Sequence, residues 1–152
     1  MEEAGIFAIE SSYLDSYVQL GIASGRVISL SFPRSPDADA GTDHPVLDRI
    51  KRYLEGTKED FADIETALTM PTDRRQILET LRGIPYGEQI SVEQLVRMTP
   101  GLDPDDEGDI ETARSALADN PIPLIIPDHR VRDGPSGAPP GVEQKLRSLE
   151  NL

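Results

Sequence analysis

The first third of the chain carries three short apolar segments of the kind that form strands. Val27–Phe32 alternates apolar and polar residues and is rich in β-branched side chains, and Ile6–Ser11 and Tyr17–Ala23 have a similar composition. Gly25 and Arg26 form a turn between Tyr17–Ala23 and Val27–Phe32. The pattern predicts a short β-meander.

After Pro45 the apolar positions recur at helical spacing instead. Ser91 and Gln94 form a capping-box pattern at the start of one helix, and Lys58–Leu68 is acidic with its apolar residues on one side. Strands followed by helices predict an α+β fold. The predicted helices are Pro45 to a stop at Gly56, Thr72–Arg82, Ser91–Met98, a helix from Glu107 or Asp109 to near Asn120, and Gly141–Leu152.

The segment Asn120–Val131 places three prolines in an apolar run and ends in a charged triplet. Each proline fixes its own φ and biases the residue before it toward extended conformations, so the segment is predicted to be extended and not helical. Leu124–Ile126 are predicted to lie in the core. A rigid buried support of this kind would hold Asp128, His129 and Arg130 in one place, as a functional pocket requires.

This segment resembles the active-site motif of the O6-alkylguanine-DNA alkyltransferases, Asn-Pro-x-x-x-x-x-Pro-Cys-His-Arg-Val. Ile84–Ser91 is similar to that family's Ile-Pro-Tyr-Gly-Glu-x-x-Ser, and Leu146, Arg147 and Glu150 occupy positions of its closing Leu-Leu-x-x-Glu helix. In the family the cysteine is an irreversible alkyl acceptor. Here Asp128 stands at that position and the chain contains no cysteine, which removes thiolate chemistry. The resemblance is therefore to the alkyltransferase-like proteins, which lack the acceptor cysteine.

The resemblance implies two subdomains. Residues 1–70 would form a small N-terminal α/β subdomain of the ribonuclease H-like type, and residues 71–152 a C-terminal helical subdomain with a winged-helix or helix-turn-helix motif. The second helix of that motif, roughly Ile110–Ala118, would face the DNA.

It also implies roles for the residues around the acceptor position. His129 matches the histidine that activates the cysteine, Glu150 matches its orienting partner, and Asn120 matches an asparagine that forms hydrogen bonds within the site. We expect these three side chains and Asp128 to converge in one partly buried pocket that takes no alkyl group.

The implied DNA-contacting positions depart from the family's pattern. Glu111 stands where the family has an arginine that inserts into the base stack, and Val92 stands where it has a tyrosine that rotates the phosphate. Both devices offset the free-energy cost of base flipping. Arg114, one turn after Glu111, is a candidate substitute. The full set of implied DNA-binding positions is Tyr86, Val92, Glu111, Arg114, Ser115 and Arg130.

The chain is strongly acidic, with 28 Asp and Glu against 15 Lys and Arg and a formal net charge of −13. The basic residues are arginines except for Lys51, Lys58 and Lys145. Acid excess with little lysine is typical of halophile proteins, although an ordinary acidic protein is the alternative. The charge disfavours contact with DNA phosphates at low salt. The absence of a long apolar run and of a signal-like start predicts a cytoplasmic protein, which we expect to be monomeric and outside the membrane.

Metal binding is an alternative at two places. Asp103, Asp105 and Glu107 match the first positions of an EF-hand loop, but Arg114 stands at the twelfth. Asp128 and His129 form a potential metal-binding pair without a third ligand, so neither a metal nor a cofactor is expected. His44 is interpreted as a surface residue at a helix start.

Three functions remain open from the sequence. The first is a non-catalytic alkyltransferase-like protein that binds double-stranded DNA, including DNA with alkylated guanine, or that signals to a repair protein. The second is an alkyltransferase that uses Asp128 as an ester-forming acceptor. The third is an interaction module that no longer binds DNA, which the acidic residues of the implied DNA face favour.

Overall fold

A computed structural model describes residues 4–59 and 61–152 of the chain. Three antiparallel strands form one sheet in the order β1 (Gly5–Ser11), β2 (Ser16–Ala23) and β3 (Arg26–Ser31). Ser24 and Gly25 connect β2 to β3 with φ values of 52° and 72°, the positive values that tight two-residue hairpins require. The predicted meander is confirmed.

In the described part of the chain, five α-helices follow the sheet: α1 (Pro45–Leu54), α2 (Thr72–Leu81), α3 (Val92–Met98), α4 (Glu107–Ala118) and α5 (Pro140–Leu149). The capping box at α3 is present, because Ser91 Oγ accepts a hydrogen bond from Gln94 N at 3.1 Å and Gln94 Oε1 accepts one from Ser91 N at 2.9 Å. The predicted α+β fold is confirmed, and no strand interrupts residues 91–117.

His44 begins α1 but does not lie on the surface. Its Nδ1 accepts a hydrogen bond from Val46 N at 3.1 Å, which caps the helix. The ring is only 5% exposed and lies 4.8 Å from the ring of Phe7, centroid to centroid. The surface assignment was wrong because β1 covers the helix start.

The described residues between α1 and α2 form turns instead of a helix; Asp60, within the acidic segment Lys58–Leu68, lies outside the described residues. This segment pairs with the outer edge of β3 at one point: Val27 N donates to Glu65 O and Ala67 N donates to Val27 O, both at 3.0 Å. Backbone groups that bond to a strand edge are not available for a helix.

The apolar side chains of the sheet and the helices form one continuous core. It extends from Leu14 in the β1–β2 turn to Leu146 in α5, and Leu30 N of β3 donates to Pro121 O at 2.8 Å. The division of the chain near residue 70 therefore stays a prediction. Within the described residues, no helix has the length and apolarity needed to cross a membrane.

Candidate functional site

The segment Asn120–Val131 is buried along almost its whole length, as predicted. It is not extended throughout, because Asp128–Arg130 form a single 3-10 turn. Pro127 restricts the residue before it but leaves the residues after it free to turn. Leu124 has a left-handed φ of 80°, a strained value for a non-glycine residue.

The side chain of Asn120 binds the backbone of this segment at two places. Its Oδ1 accepts a hydrogen bond from Ile122 N at 3.0 Å, and its Nδ2 donates to Ile126 O at 3.0 Å. These bonds satisfy backbone groups that the prolines leave without regular partners. They also hold the segment in a conformation that presents Asp128 and His129 from fixed positions.

Asp128 is fully buried and its carboxylate receives three hydrogen bonds. Ser136 Oγ donates to Oδ1 at 2.6 Å, and Asn120 Nδ2 and Gly137 N donate to Oδ2 at 3.0 and 2.8 Å. Burial raises the pKa of Asp128, and the three hydrogen bonds only partly counteract it. Both oxygens are thus occupied by donors from the protein itself.

Glu150, the residue that follows α5, receives donors on both carboxylate oxygens. Arg130 holds it in a bidentate pair, with Nε to Oε1 at 2.8 Å and Nη2 to Oε2 at 3.1 Å. His129 Nε2 lies 2.6 Å from Oε2, and Gly87 N donates to Oε1 at 3.0 Å. Burial opposes ionisation of the carboxyl, but the hydrogen bonds from His129 and Arg130 outweigh it and hold the pKa of Glu150 at about 2.

Tyr53 of α1 completes this group, and it lies outside the motifs that the sequence shares with the family. Its hydroxyl donates to Glu150 Oε2 and lies 3.3 Å from His129 Nε2. Burial raises the pKa of Tyr53, followed in effect by the charge of Glu150, so the hydroxyl keeps its proton. The available signal was a tyrosine on the apolar face of a helix, since a buried tyrosine hydroxyl usually requires a polar partner.

The predicted single pocket is in fact two adjacent clusters, both buried. Asp128 and Asn120 belong to the first, and His129 and Glu150 belong to the second. Consecutive residues of the 3-10 turn point their side chains to different partners, so no hydrogen bond joins the carboxylate of Asp128 to the imidazole of His129 among those of the described chain. His129 Nδ1 is buried and has no hydrogen-bond partner there.

Two of the implied DNA-binding residues are buried in the protein. Val92 is 1% exposed, and its side chain lies in the core. Arg130 is 3% exposed, since it binds Glu150 and donates from Nη1 to Ile84 O at 2.6 Å. In this conformation neither side chain is exposed for a direct contact with DNA.

The remaining implied positions are accessible. Glu111 is exposed on α4, and Ser115 is half-buried on the same helix. Arg114 is half-buried and donates from Nη1 to Asp133 O at 3.0 Å. Tyr86 is half-buried, its hydroxyl donates to Leu149 O at 3.3 Å, and the guanidinium of Arg130 lies 5.8 Å from its ring centroid.

The acidic turn before α4 uses its carboxylates for its own backbone. Asp106 Oδ1 accepts from Gly108 N at 2.8 Å and caps the helix. Asp109 Oδ2 accepts from Asp103 N, and Asp103 Oδ1 accepts from Asp105 N, both at 2.9 Å. Across residues 4–59 and 61–152, no group of three His, Cys, Asp or Glu is arranged to hold a metal ion, so nothing here supports the calcium alternative or the metal pair at Asp128.

Known proteins share sequence with about two thirds or more of the chain, although no protein-family model matches it. The methylated-DNA–protein-cysteine methyltransferase of Methanopyrus kandleri is 32% identical over 112 residues, 70% of this chain and 78% of that protein. The enzyme of the same name from Metallosphaera sedula is 32% identical over 104 residues, 67% of this chain but only 62% of its own length. A DNA base-flipping protein of Thermus thermophilus is 32% identical over 115 residues, 74% of each chain.

Solved structures match the fold over almost the whole chain. A variant of the O6-methylguanine methyltransferase of Mycobacterium tuberculosis has a TM-score of 0.74 at 21% identity, covering 98% of this chain and 92% of that one. The OGT of the same bacterium in complex with DNA has a TM-score of 0.70 at 22% identity, covering 97% and 91%. Fold and sequence agree, and the chain belongs to the methylated-DNA–protein-cysteine methyltransferase family.

Proposed function

We propose that this protein is a non-catalytic member of its family that binds double-stranded DNA. The absence of catalysis is inferred from the surroundings of Asp128, which stands at the position of the family's acceptor cysteine. Its carboxylate is fully buried and both oxygens accept hydrogen bonds from the protein. A carboxylate attacks an alkyl carbon with an oxygen lone pair, and protein donors here take three of its roughly four lone-pair directions.

The acceptor alternative is disfavoured by the same geometry. Asp128 is 0% exposed, and its Oδ2 already accepts hydrogen bonds from Asn120 and Gly137, so a substrate could reach the carboxylate only if the residues over it moved. A carboxylate is also a weak nucleophile toward an unactivated alkyl ether, and His129 is hydrogen-bonded to Glu150 and not to Asp128. Neither activation nor access supports transfer.

DNA binding is supported by the helix pair and by the relatives. α3, the turn that follows it and α4 have the order of a helix-turn-helix motif, and one relative is named a DNA base-flipping protein. We infer that the second half of α4 meets the DNA, because Arg114 and Ser115 lie there and the exposed acidic residues Asp105, Asp106 and Glu107 lie at its start. Alkylated guanine is the lesion that we propose for recognition.

The acidic start of α4 favours a second candidate, an interaction module without DNA binding. Exposed carboxylates at Asp105, Glu107 and Glu111 repel phosphates unless salt screens them. We place the protein in a cytoplasm of high ionic strength, where the Debye length falls to about 3 Å at molar salt and this repulsion acts only at contact. A monomer is the state in which we expect it to act.

Intact-mass spectrometry after incubation with a duplex containing O6-methylguanine tests the non-catalytic half. We expect an unchanged protein mass and no release of methanol. A persistent mass increase of one methyl group that maps to Asp128, or methanol in the supernatant, would show that Asp128 is an acceptor.

The Asp128→Cys variant is the matched arm of this experiment. It supplies the missing thiol, yet we expect no methyl transfer because Glu111 and Val92 stand at the positions of the two base-flipping residues. Transfer at a rate comparable to a cysteine-containing family member would show that the interpretation of positions 111 and 92 is wrong.

A further inference from the structure

Three uncharged hydrogen-bond donors surround the carboxylate of Asp128. Asn120 Nδ2, Ser136 Oγ and Gly137 N lie 3.0, 2.6 and 2.8 Å from the carboxylate oxygens of Asp128. Two of them come from the loop before α5 and one from Asn120, two residues after α4, so they are brought together by tertiary structure and not by a single turn. We call these three groups the donor cradle.

The loop that contributes Ser136 and Gly137 has supports other than Asp128. Asp133 Oδ1 accepts a hydrogen bond from Val92 N at 2.8 Å, and Asp133 O accepts one from Arg114. Ala138, at the end of the loop, is 7% exposed and donates from its N to Ser136 Oγ at 3.0 Å. The cradle should therefore keep its shape when the carboxylate is removed.

The residues that supply two of the donors are partly exposed to solvent, although the Asp128 side chain that they bind is buried. Asp128 is fully buried, whereas Ser136 is half-buried and Gly137 is exposed. Gly137 lies so close to Asn120 that a Cβ on it would overlap the carbonyl oxygen of Asn120. Two of the three donors therefore belong to residues that are partly or fully open to solvent, which is the side from which a small solute would approach.

We propose that the donor cradle is a carboxylate-binding site whose resident ligand is the protein's own Asp128 side chain. The bound carboxylate fills the pocket at the family's acceptor position and ties the loop to the segment beneath it. When that carboxylate is deleted, the same three donors are left without acceptors. A free carboxylate of matching size then binds to them and restores the three hydrogen bonds. The inference does not depend on DNA binding.

Chemical rescue with size-matched acids tests this site. Asp128→Ala removes only the carboxylate group, which has the size of formate. Asp128→Gly also removes the methylene group, so the deleted part has the size of acetate. We expect both variants to melt at a lower temperature than the wild type in potassium chloride. Replacing chloride by formate at equal ionic strength should raise the melting temperature of the Ala variant more than acetate does, and the Gly variant should show the reverse order. Binding linkage predicts a rise with the logarithm of acid concentration.

Three controls separate rescue from general salt effects. The wild type, whose cradle is occupied, should show only the general effect of these anions on protein stability, and the response of each variant is measured relative to it. Asp133→Ala deletes a carboxylate that accepts one backbone hydrogen bond on an exposed part of the same loop, and its stability should not be restored by either acid. Ser136→Ala in the Asp128→Ala background removes one donor and should weaken the formate response.

The proposal is overturned if neither Asp128 variant gains more from its matching acid than the wild type gains. If both variants fail to fold, hydrogen exchange in the wild type decides. The Gly137 amide, on an exposed residue, should exchange much more slowly than in an unstructured peptide because it donates to a buried carboxylate. Exchange at the unstructured rate would contradict the proposed cradle.

Discussion

The hydroxyl of Tyr53 in α1 donates a hydrogen bond to the carboxylate of Glu150, 97 positions later in the chain. This contact links the first helix to the end of the last one through a charge that is buried with His129 and Arg130. The cluster therefore holds the first helix against the end of the last one, whatever chemistry it supports.

Tyr53→Phe should lower the free energy of unfolding by about 1 to 2 kcal/mol, because the substitution removes one hydrogen bond from a buried carboxylate and leaves the ring packing intact. Chemical denaturation in urea at constant potassium chloride measures the change. Tyr86→Phe is the control: its hydroxyl donates to Leu149 O from a half-buried position, so a smaller loss is expected. Equal losses of free energy of unfolding in the two variants would show that the Tyr53–Glu150 hydrogen bond stabilises the fold no more than the Tyr86–Leu149 one does.

Glu150→Ala should destabilise the fold by roughly 3 to 5 kcal/mol, because it leaves the buried guanidinium of Arg130 without its counter-charge. Glu143→Ala breaks a half-buried pair with Arg147 four residues along α5 and should cost no more than about 1 kcal/mol. Denaturation midpoints and slopes of the two variants provide the comparison. A small loss for Glu150→Ala would mean that solvent reaches Arg130.

The stability that depends on Glu150 should disappear in acid. The pKa of this carboxyl is lowered in the folded state to about 2 from an ordinary value of 4.5, so the unfolded state binds its proton first as pH falls. The contribution is complete above pH 4.5 and is lost as pH falls from 4.5 toward 2. The difference in free energy of unfolding between the wild type and Glu150→Gln should narrow across that interval. A difference that stays constant would show that Glu150 does not titrate with a lowered pKa.

The sequence predicted the fold better than the site. The meander and the helices were predictable because strand alternation, the prolines at helix starts and the capping box at Ser91 are local signals. The backbone of Asp128–Arg130 was not, since the effect of a proline on the residue before it does not determine the turn after it. Lys58–Leu68 has helical spacing of apolar residues but bonds to the edge of β3 through Val27, and tertiary pairing of this kind leaves no local signal.

The site shows the same limit. The motif identified Asn120, His129 and Glu150, and the structure places His129 against Glu150 and Asn120 against Asp128. What the motif did not contain is the direction of each side chain. The division into two clusters, and the participation of Tyr53 and Ser136, depend on which elements pack over the 3-10 turn.

Salt should stabilise the protein, because a net charge of −13 repels itself over a Debye length of about 10 Å at 0.1 M salt but only about 3 Å at molar salt. The melting temperature is expected to rise steadily between these potassium chloride concentrations at neutral pH. The rise should shrink near pH 4.4, the isoelectric point calculated from the sequence. A melting temperature that does not depend on salt at neutral pH would contradict both the repulsion and the proposed high-salt setting.

Fluorescence anisotropy tests DNA binding: the protein is titrated into labelled duplexes, plain and with one O6-methylguanine, at several high potassium chloride concentrations. We predict saturable binding that unlabelled duplex competes away. Arg114→Ala should weaken it and reduce the slope of log K against log salt by about one, while Arg26→Ala, an equal charge change on β3, should leave it unchanged. No binding to either duplex at any salt concentration, with the protein folded, would show that the protein is not a DNA-binding protein and would favour an interaction module.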